Sequence, residues 1–255
     1  MMAKKVLTHN LSEPLRETMT AKFDINTGTG NLTIDRLASG EGLLASGALE
    51  YLEKQDPPAW TVDARDGQST LTLKASGGQQ PGFRLPWAAC NGATNWQIHL
   101  NPMVSSDITA HSGGGNVKIN LAGMAINRVS ADSGGGNLDM ILPDGASDMS
   151  VTAKTGGGNV TVELGSGTTG SNTVTATSGA GNVAVRLPAG VAALIHATTG
   201  MGKVIVDSRF SQIDKNTYQS PDYDSAVDRV EINAKSGAGN VSVITKQGQG
   251  GDLLV

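Results

Sequence analysis

The sequence is poor in most of the features that advertise an activity. It has one cysteine, Cys90, which excludes an internal disulfide framework and a cysteine-based zinc site. Aromatics are scarce, with three Trp, three Tyr and three Phe in 255 residues. Lys and Arg are nowhere concentrated, and the net charge of −4 leaves no basic field for nucleic acid or an anionic membrane surface. No apolar run is long enough to span a bilayer, and the N-terminus MMAKKVLTHNLSEPLRETMT lacks the apolar core of a signal peptide. As written, the chain reads as soluble and cytoplasmic, without direct membrane insertion.

What it has is glycine, 34 residues of it, with only 38% apolar residues. That mix suits many short strands joined by tight turns. The glycine is ordered: SGGGN occurs at 112–116 and 133–137, and TGGGN at 155–159. Aligning on this turn gives nine segments with reference positions Asn31, Thr70, Asn95, Asn116, Asn137, Asn159, Asn182, Lys203 and Asn240. The spacings from Asn95 to Lys203 are 21, 21, 22, 23 and 21 residues, the period of a stacked repeat.

Three residues before each reference stands glycine, as at Gly113, Gly134 and Gly156, which predicts a backbone site of positive φ. The residue before that glycine is Ser, Thr, Asp or Asn, a turn starter. After the turn Val117, Ile119 and Leu121 alternate with Lys118 and Asn120, the period of a half-buried strand. Before the turn a branched residue precedes alanine, as in Val129 with Ala131 and Val151 with Ala153, which predicts a narrow interior. The expected fold is all-β, a right-handed parallel β-helix (β-solenoid) with ~21-residue coils stacked in sequence order about 4.8 Å apart, their asparagines forming an amide ladder.

The expected organisation is degenerate coils over 1–90, a regular solenoid over 91–248 and a flexible tail over 249–255, with the whole possibly one continuous domain. Three stretches break the period: a degenerate coil within 35–60, a loop at 74–86, and an insertion at 207–228 holding Phe210, Tyr218 and Tyr223. The insertion reads as a cap over an open end, with a binding loop as the sharper alternative.

Several chemistries could make use of a glycine turn of this kind. A calcium β-roll needs an acidic residue in every turn, but only Asp139 stands at that place. The one G-x-G-x-x-G, GSGTTG at 165–170, is followed by strand-like SNTVTATSG and not by a helix. The four histidines do not assemble by register, with His111 and His196 four coils apart and His99 on a second strand. Cys90, His111 and Asp132 stand 21 apart in one outward row, the order of a cysteine-nucleophile triad. That row continues as Lys154 and Thr177, without an evident pocket or oxyanion hole, and ordinary surface polarity is preferred. Thr109, Ser130, Thr152 and Thr175 form another row, which threonine's strand preference explains. No catalytic, cofactor-binding or metal residue is assigned, and no cofactor.

The run NWQIHLNPMVSSDITAHSGGGNVKINLAGMAINRVSADSGGGNLDMILP resembles the bacterial toast-rack domains, LiaF-like C-terminal domains and the putative-adhesin β-solenoid family. FDINTGTGNLTIDRLASGEGLLASGALEYLEKQDPPAWTVDARDGQSTLTL is similar to the N-terminal toast-rack segment, and NTYQSPDYDSAV to the family's final coil. The resemblance implies a bacterial origin and a link to envelope stress or surface adhesion, and it brings no catalytic residues. The expected function is a non-enzymatic structural or protein-interaction module with a protein partner of unknown identity; the alternative is a carbohydrate-binding or carbohydrate-active β-helix.

Overall fold

The structure is a computed structural model that describes residues 5–38, 42–75 and 94–246. Among these residues there are 21 strands and no helix. The strands are β1 (Val6–Pro14), β2 (Thr20–Asn26), β3 (Asn31–Arg36), β4 (Leu43–Leu52), β5 (Ala59–Arg65), β6 (Gln68–Lys74) and β7 (Asn95–Leu100). The repeat then contributes β8 (Ser105–Ser112), β9 (Val117–Asn120), β10 (Ile126–Ser133), β11 (Leu138–Ile141), β12 (Ser150–Thr155), β13 (Val160–Glu163), β14 (Ser171–Ser178) and β15 (Val183–Leu187). The remainder are β16 (Ala192–Thr199), β17 (Val204–Val206), β18 (Ser211–Asp214), β19 (Thr217–Gln219), β20 (Arg229–Ser236) and β21 (Val241–Thr245).

Two large, mostly parallel sheets result. One has the order β1-β4-β7-β3-β9-β11-β13-β15-β21-β17, the other β18-β19-β16-β20-β14-β12-β10-β8-β2-β6-β5. In each repeat unit the strand before the glycine turn joins the second sheet and the strand after it joins the first. Every unit therefore contributes one rung to each sheet.

Period-two alternation sorts the side chains. Along the second sheet Phe23, Ile108, Val129, Val151, Val174, Ile232 and Ile195 are in register, all buried. Ile25, Ala110, Ala131, Ala153, Ala176, Ala234 and Ala197 form the next inward row. Val117, Leu138, Val160, Val183 and Val241 answer them from the first sheet, and all belong to one buried cluster. At the N-terminal end alanine gives way in this row to Ile25 and Leu73, and Trp96 is buried in the same cluster.

The corner between the two strands explains the repeat. The Ser112 hydroxyl accepts the Gly115 N–H of its own turn and donates to the Gly30 carbonyl of the neighbouring unit. Ser133, Thr155, Ser178, Ser236 and Thr199 do the same, with cross-unit distances of 2.7–2.8 Å. The asparagines then link units: the backbone N–H of Asn116, Asn137, Asn159, Asn182 and Asn240 each donates to the side-chain oxygen of the preceding rung's asparagine at 2.8–2.9 Å. The ladder thus runs from side chain to backbone, with amide-to-amide bonding among the described reference asparagines only between Asn31 and Asn95. The Glu50 carboxylate closes one end by accepting both Asn95 N–H groups, and Lys203 closes the other.

Several expectations are corrected. Gly113, Gly134, Gly156, Gly179, Gly200 and Gly237 do not have positive φ. Glycine is required there because a β-carbon would lie under 3.0 Å from the carbonyl oxygen of the adjacent unit's glycine, and the same holds at Gly115, Gly136 and Gly158. Asp66 and Gly67, read as a repeat corner before Thr70, are the two-residue turn of an antiparallel hairpin, with φ of 49° and 75°. The degenerate coil within 35–60 is β4, which runs antiparallel to both β7 and β1.

The stacking is not in sequence order. β20 and β21 lie between β14/β15 and β16/β17, and β2 and β3 lie between β6/β7 and β8/β9. All units share one register, so any two can be neighbours, and the long connection after β17 carries the chain back over one rung. That connection forms the β18–β19 hairpin, with β19 antiparallel to β16, so it covers the end of the second sheet. The expected loop at 74–86 lies, from residue 76 on, outside the described residues.

Within a single corner the structure separates two glycines. Gly136→Ala should cost roughly 1–3 kcal/mol, because neither backbone can yield without breaking the corner bonds. Gly135 has nothing within 4 Å of the added carbon, and Gly135→Ala should be neutral or stabilising by up to about 1 kcal/mol. Urea unfolding midpoints of the two variants against the parent check this.

Candidate functional site

The corner uses its polar groups internally, so chemistry has to be sought on the outer faces and at the ends. The row expected to hold Cys90, His111 and Asp132 is only partly assembled. His111 and Asp132 are paired across β8 and β10, with Nδ1 of His111 hydrogen-bonded to the Asp132 carboxylate, and Lys154 follows on β12. On the other side of His111 stands Asn26, because β2 occupies the rung where sequence order would place the Cys90 unit. Cys90 itself lies outside the described residues. An asparagine amide is no nucleophile, so the row from Asn26 through Lys154 supplies no triad.

Thr109, Ser130, Thr152 and Thr175 do form one outward row, which runs on into Asp24 at one end and Asn233 and His196 at the other. The charged and amide side chains interrupt it as a uniform hydroxyl array. His111 and His196 are five strands apart, one more than expected, because β20 is interposed. Among the described residues no three His, Cys, Asp or Glu side chains gather around one point. GSGTTG is the loop between β13 and β14, with positive φ at Gly167 and Gly170.

A second histidine–carboxylate pair was not foreseen. On the outer face of the first sheet Ser46, His99 and Asp35 stand side by side on β4, β7 and β3, and Nδ1 of His99 is hydrogen-bonded to Asp35. With Arg36, Leu37 and Ala38 they line a shallow recess of about 360 Å³. The order is that of a serine hydrolase triad. No hydrogen bond joins Ser46 to His99 among the described residues, and the recess is open, with His99 and Asp35 each over a third exposed. Activation of a serine needs a base bonded to its hydroxyl and donors for the oxyanion. Asp35 and His99 each stand four residues after a reference asparagine, so the period places them in one outward row but leaves open that β3 and β7 are neighbours; Ser46 follows no such period and joins them only through the antiparallel insertion of β4.

The 207–228 insertion is tied down by named contacts. Phe210 is buried in the core and Tyr218 packs against it, while the Arg209 guanidinium lies 4.1 Å over the Phe210 ring and donates to the Val191 carbonyl. Ser220 exchanges bonds with Ala193, its N–H to the carbonyl and its hydroxyl oxygen to the N–H. Asp207 is the hinge: its carboxylate accepts the Arg209 N–H and the Thr245 N–H, joining the start of the insertion to the last strand. The bond from the Arg209 N–H, followed by those from Thr245, holds the Asp207 carboxyl below its ordinary pKa.

A carboxyl depressed in the folded state contributes fully above its unfolded pKa of 3.8 and loses that contribution as pH falls through the lower folded value. Asp207→Asn should therefore lower stability at neutral pH and flatten its decline on acidification below about pH 4, measured as urea midpoints over that range. For the Ser46 row, a fluorophosphonate probe should not label the serine. Labelling that disappears in His99→Ala would give the row an activated nucleophile.

The sequence pattern described as the N-terminal domain of toast_rack, DUF2154, matches residues 2–163. No curated protein matches the sequence. Among solved structures, a "putative cell adhesion protein" from Clostridium sporogenes is similar over 95% of this chain and 100% of its own, with a TM-score of 0.68 and 20% identity, which is a likeness of fold. A "putative adhesin" from Bacteroides fragilis covers 96% and 98% at 12% identity with a TM-score of 0.33. One from Parabacteroides distasonis covers 95% and 98% at 9% identity with a TM-score of 0.29.

Proposed function

The chain belongs to the toast-rack N-terminal domain family, and from that premise we propose that it is a β-solenoid of ~21-residue coils serving as a non-enzymatic structural or protein-interaction module. The observation that carries the reading is where the repeated polar groups are used. The corner Ser, Thr and Asn side chains bond neighbouring units, so the repeat builds two broad faces and holds no reactive group in common. Along those faces the side chains vary from rung to rung, as in Lys118, Asp139 and Thr161. Segments 1–90 and 91–248 act as one body in this reading, supported by a buried cluster running from Leu11 to Val243.

The chemistry suits a protein partner better than a glycan. Glycan hydrolysis needs paired carboxylates across a cleft, whereas Glu163 is occupied by Lys246 at 2.6 Å and flanked by Arg186. Stacking sugars needs exposed aromatic planes, and among the described aromatics Phe23, Trp96 and Phe210 are buried while Tyr51, Trp60, Tyr218 and Tyr223 are half-buried. A role at the bacterial surface takes support from the description of the Clostridium sporogenes neighbour as a cell adhesion protein. No described helix is long and apolar enough to cross a membrane.

Photo-crosslinkers placed singly at Asp139, Thr175 and Gln212 sample the two faces and the hairpin. In bacterial envelope extract one position should capture a defined protein that the other two do not, and a glycan array should stay blank. Saturable glycan binding, or turnover of an ester or glycan that is lost in an Asp or Glu variant, would overturn the proposal.

A further inference from the structure

The two sheets together have four ends, and they are not closed alike. At three of them the outermost parallel strand is followed by an antiparallel one: β4 and then β1 beyond β7, β5 beyond β6, and β19 and then β18 beyond β16. At the fourth, β17 is parallel to β21 and is itself the edge among the described residues. An open strand edge is a template for another strand.

The bonding of β17 shows which groups are on offer. The Lys203 carbonyl accepts the Val241 N–H and the Asp207 N–H donates to the Val243 carbonyl, so Lys203, Ile205 and Asp207 turn their backbones toward β21. By alternation the N–H and C=O groups of Val204 and Val206 point outward. Their side chains are only half-buried, while Ile205 is 52% exposed and Met201, in the adjoining corner, 81%. Lys203 stands where the other repeat units carry the linking asparagine, so no side-chain amide is presented to a further parallel rung.

The segment Lys203-Val204-Ile205-Val206-Asp207 reads as its own complement when reversed. We propose that this edge pairs antiparallel with the same edge of a second copy, about a twofold axis at Ile205. Val204 then exchanges both backbone bonds with the partner subunit's Val206 and the reverse, while the two Ile205 residues form the close, non-bonded pair between them. Lys203 stands opposite the partner subunit's Asp207 on each side, a carboxylate that keeps its negative charge while accepting the Arg209 and Thr245 N–H groups of its own chain. Parallel pairing would set lysine against lysine and aspartate against aspartate, and a slip of two residues would lose both charge pairs, so orientation and register are specified together.

A three-residue strand buries little area. The dimer should therefore be a concentration-dependent equilibrium, visible by sedimentation velocity of the full chain between about 1 and 200 µM, below the standard interface size. Ile205→Lys sets like charges at the axis and Lys203→Glu sets them at both ends, and both change exposed side chains without touching the β17–β21 ladder. Each should shift the midpoint at least roughly tenfold toward monomer with an unchanged thermal melt. As an independent measurement on the parent chain, the Val204 and Val206 amides should gain exchange protection as concentration rises. A parent monomeric throughout this range overturns the proposal, including the case in which removing residues 247–255 uncovers a dimer. So does a dimer that both variants leave intact.

Discussion

At two positions in each glycine corner from Gly113 onward the carbonyl oxygen of the neighbouring unit occupies the place a β-carbon would take. The rest of the stack depends on that approach. Only with the corner backbones this close can the Ser112 or Ser133 hydroxyl reach across to the next unit while serving its own turn. Only then does each asparagine oxygen meet the next backbone N–H. The corner sets a common register for both strands that leave it, and the common register places valine over valine and alanine over alanine through the core.

Such an arrangement is sound in its interior and exposed at its ends, because each rung satisfies its neighbour and the last one has none. The chain deals with this by changing strand direction. Glu50 on antiparallel β4 takes over the asparagine's role toward Asn95, and Trp96 beneath it donates its ring N–H to the Glu50 carbonyl. At the far end the insertion brings β19 alongside β16, with Phe210, Ser220 and Asp207 as its anchors. The aromatics that made this insertion conspicuous in the sequence are therefore largely spent on packing. What such a molecule presents outward is its two broad faces and any edge left available to another strand.

The sequence by itself determined the repeat, the alternation and the alanine-lined interior, because these are local matters of period and of residue size. It also pointed correctly to glycine at the corner, but to positive φ as the reason, which among the described corners holds at Gly28 and Gly67 and not from Gly113 onward. Close approach between units is a property of the stack and leaves no trace in one unit's own conformation. Which unit neighbours which was decided only in three dimensions. Every unit carries the same register, so the sequence holds nothing to prefer the Cys90 unit over Asn26 beside His111, or β16 over β20 beside β14. The same holds for Ser46, His99 and Asp35, which share a recess because β4 reverses direction against β7. Period fixes the row a side chain occupies, and the path of the connections fixes its neighbour in that row.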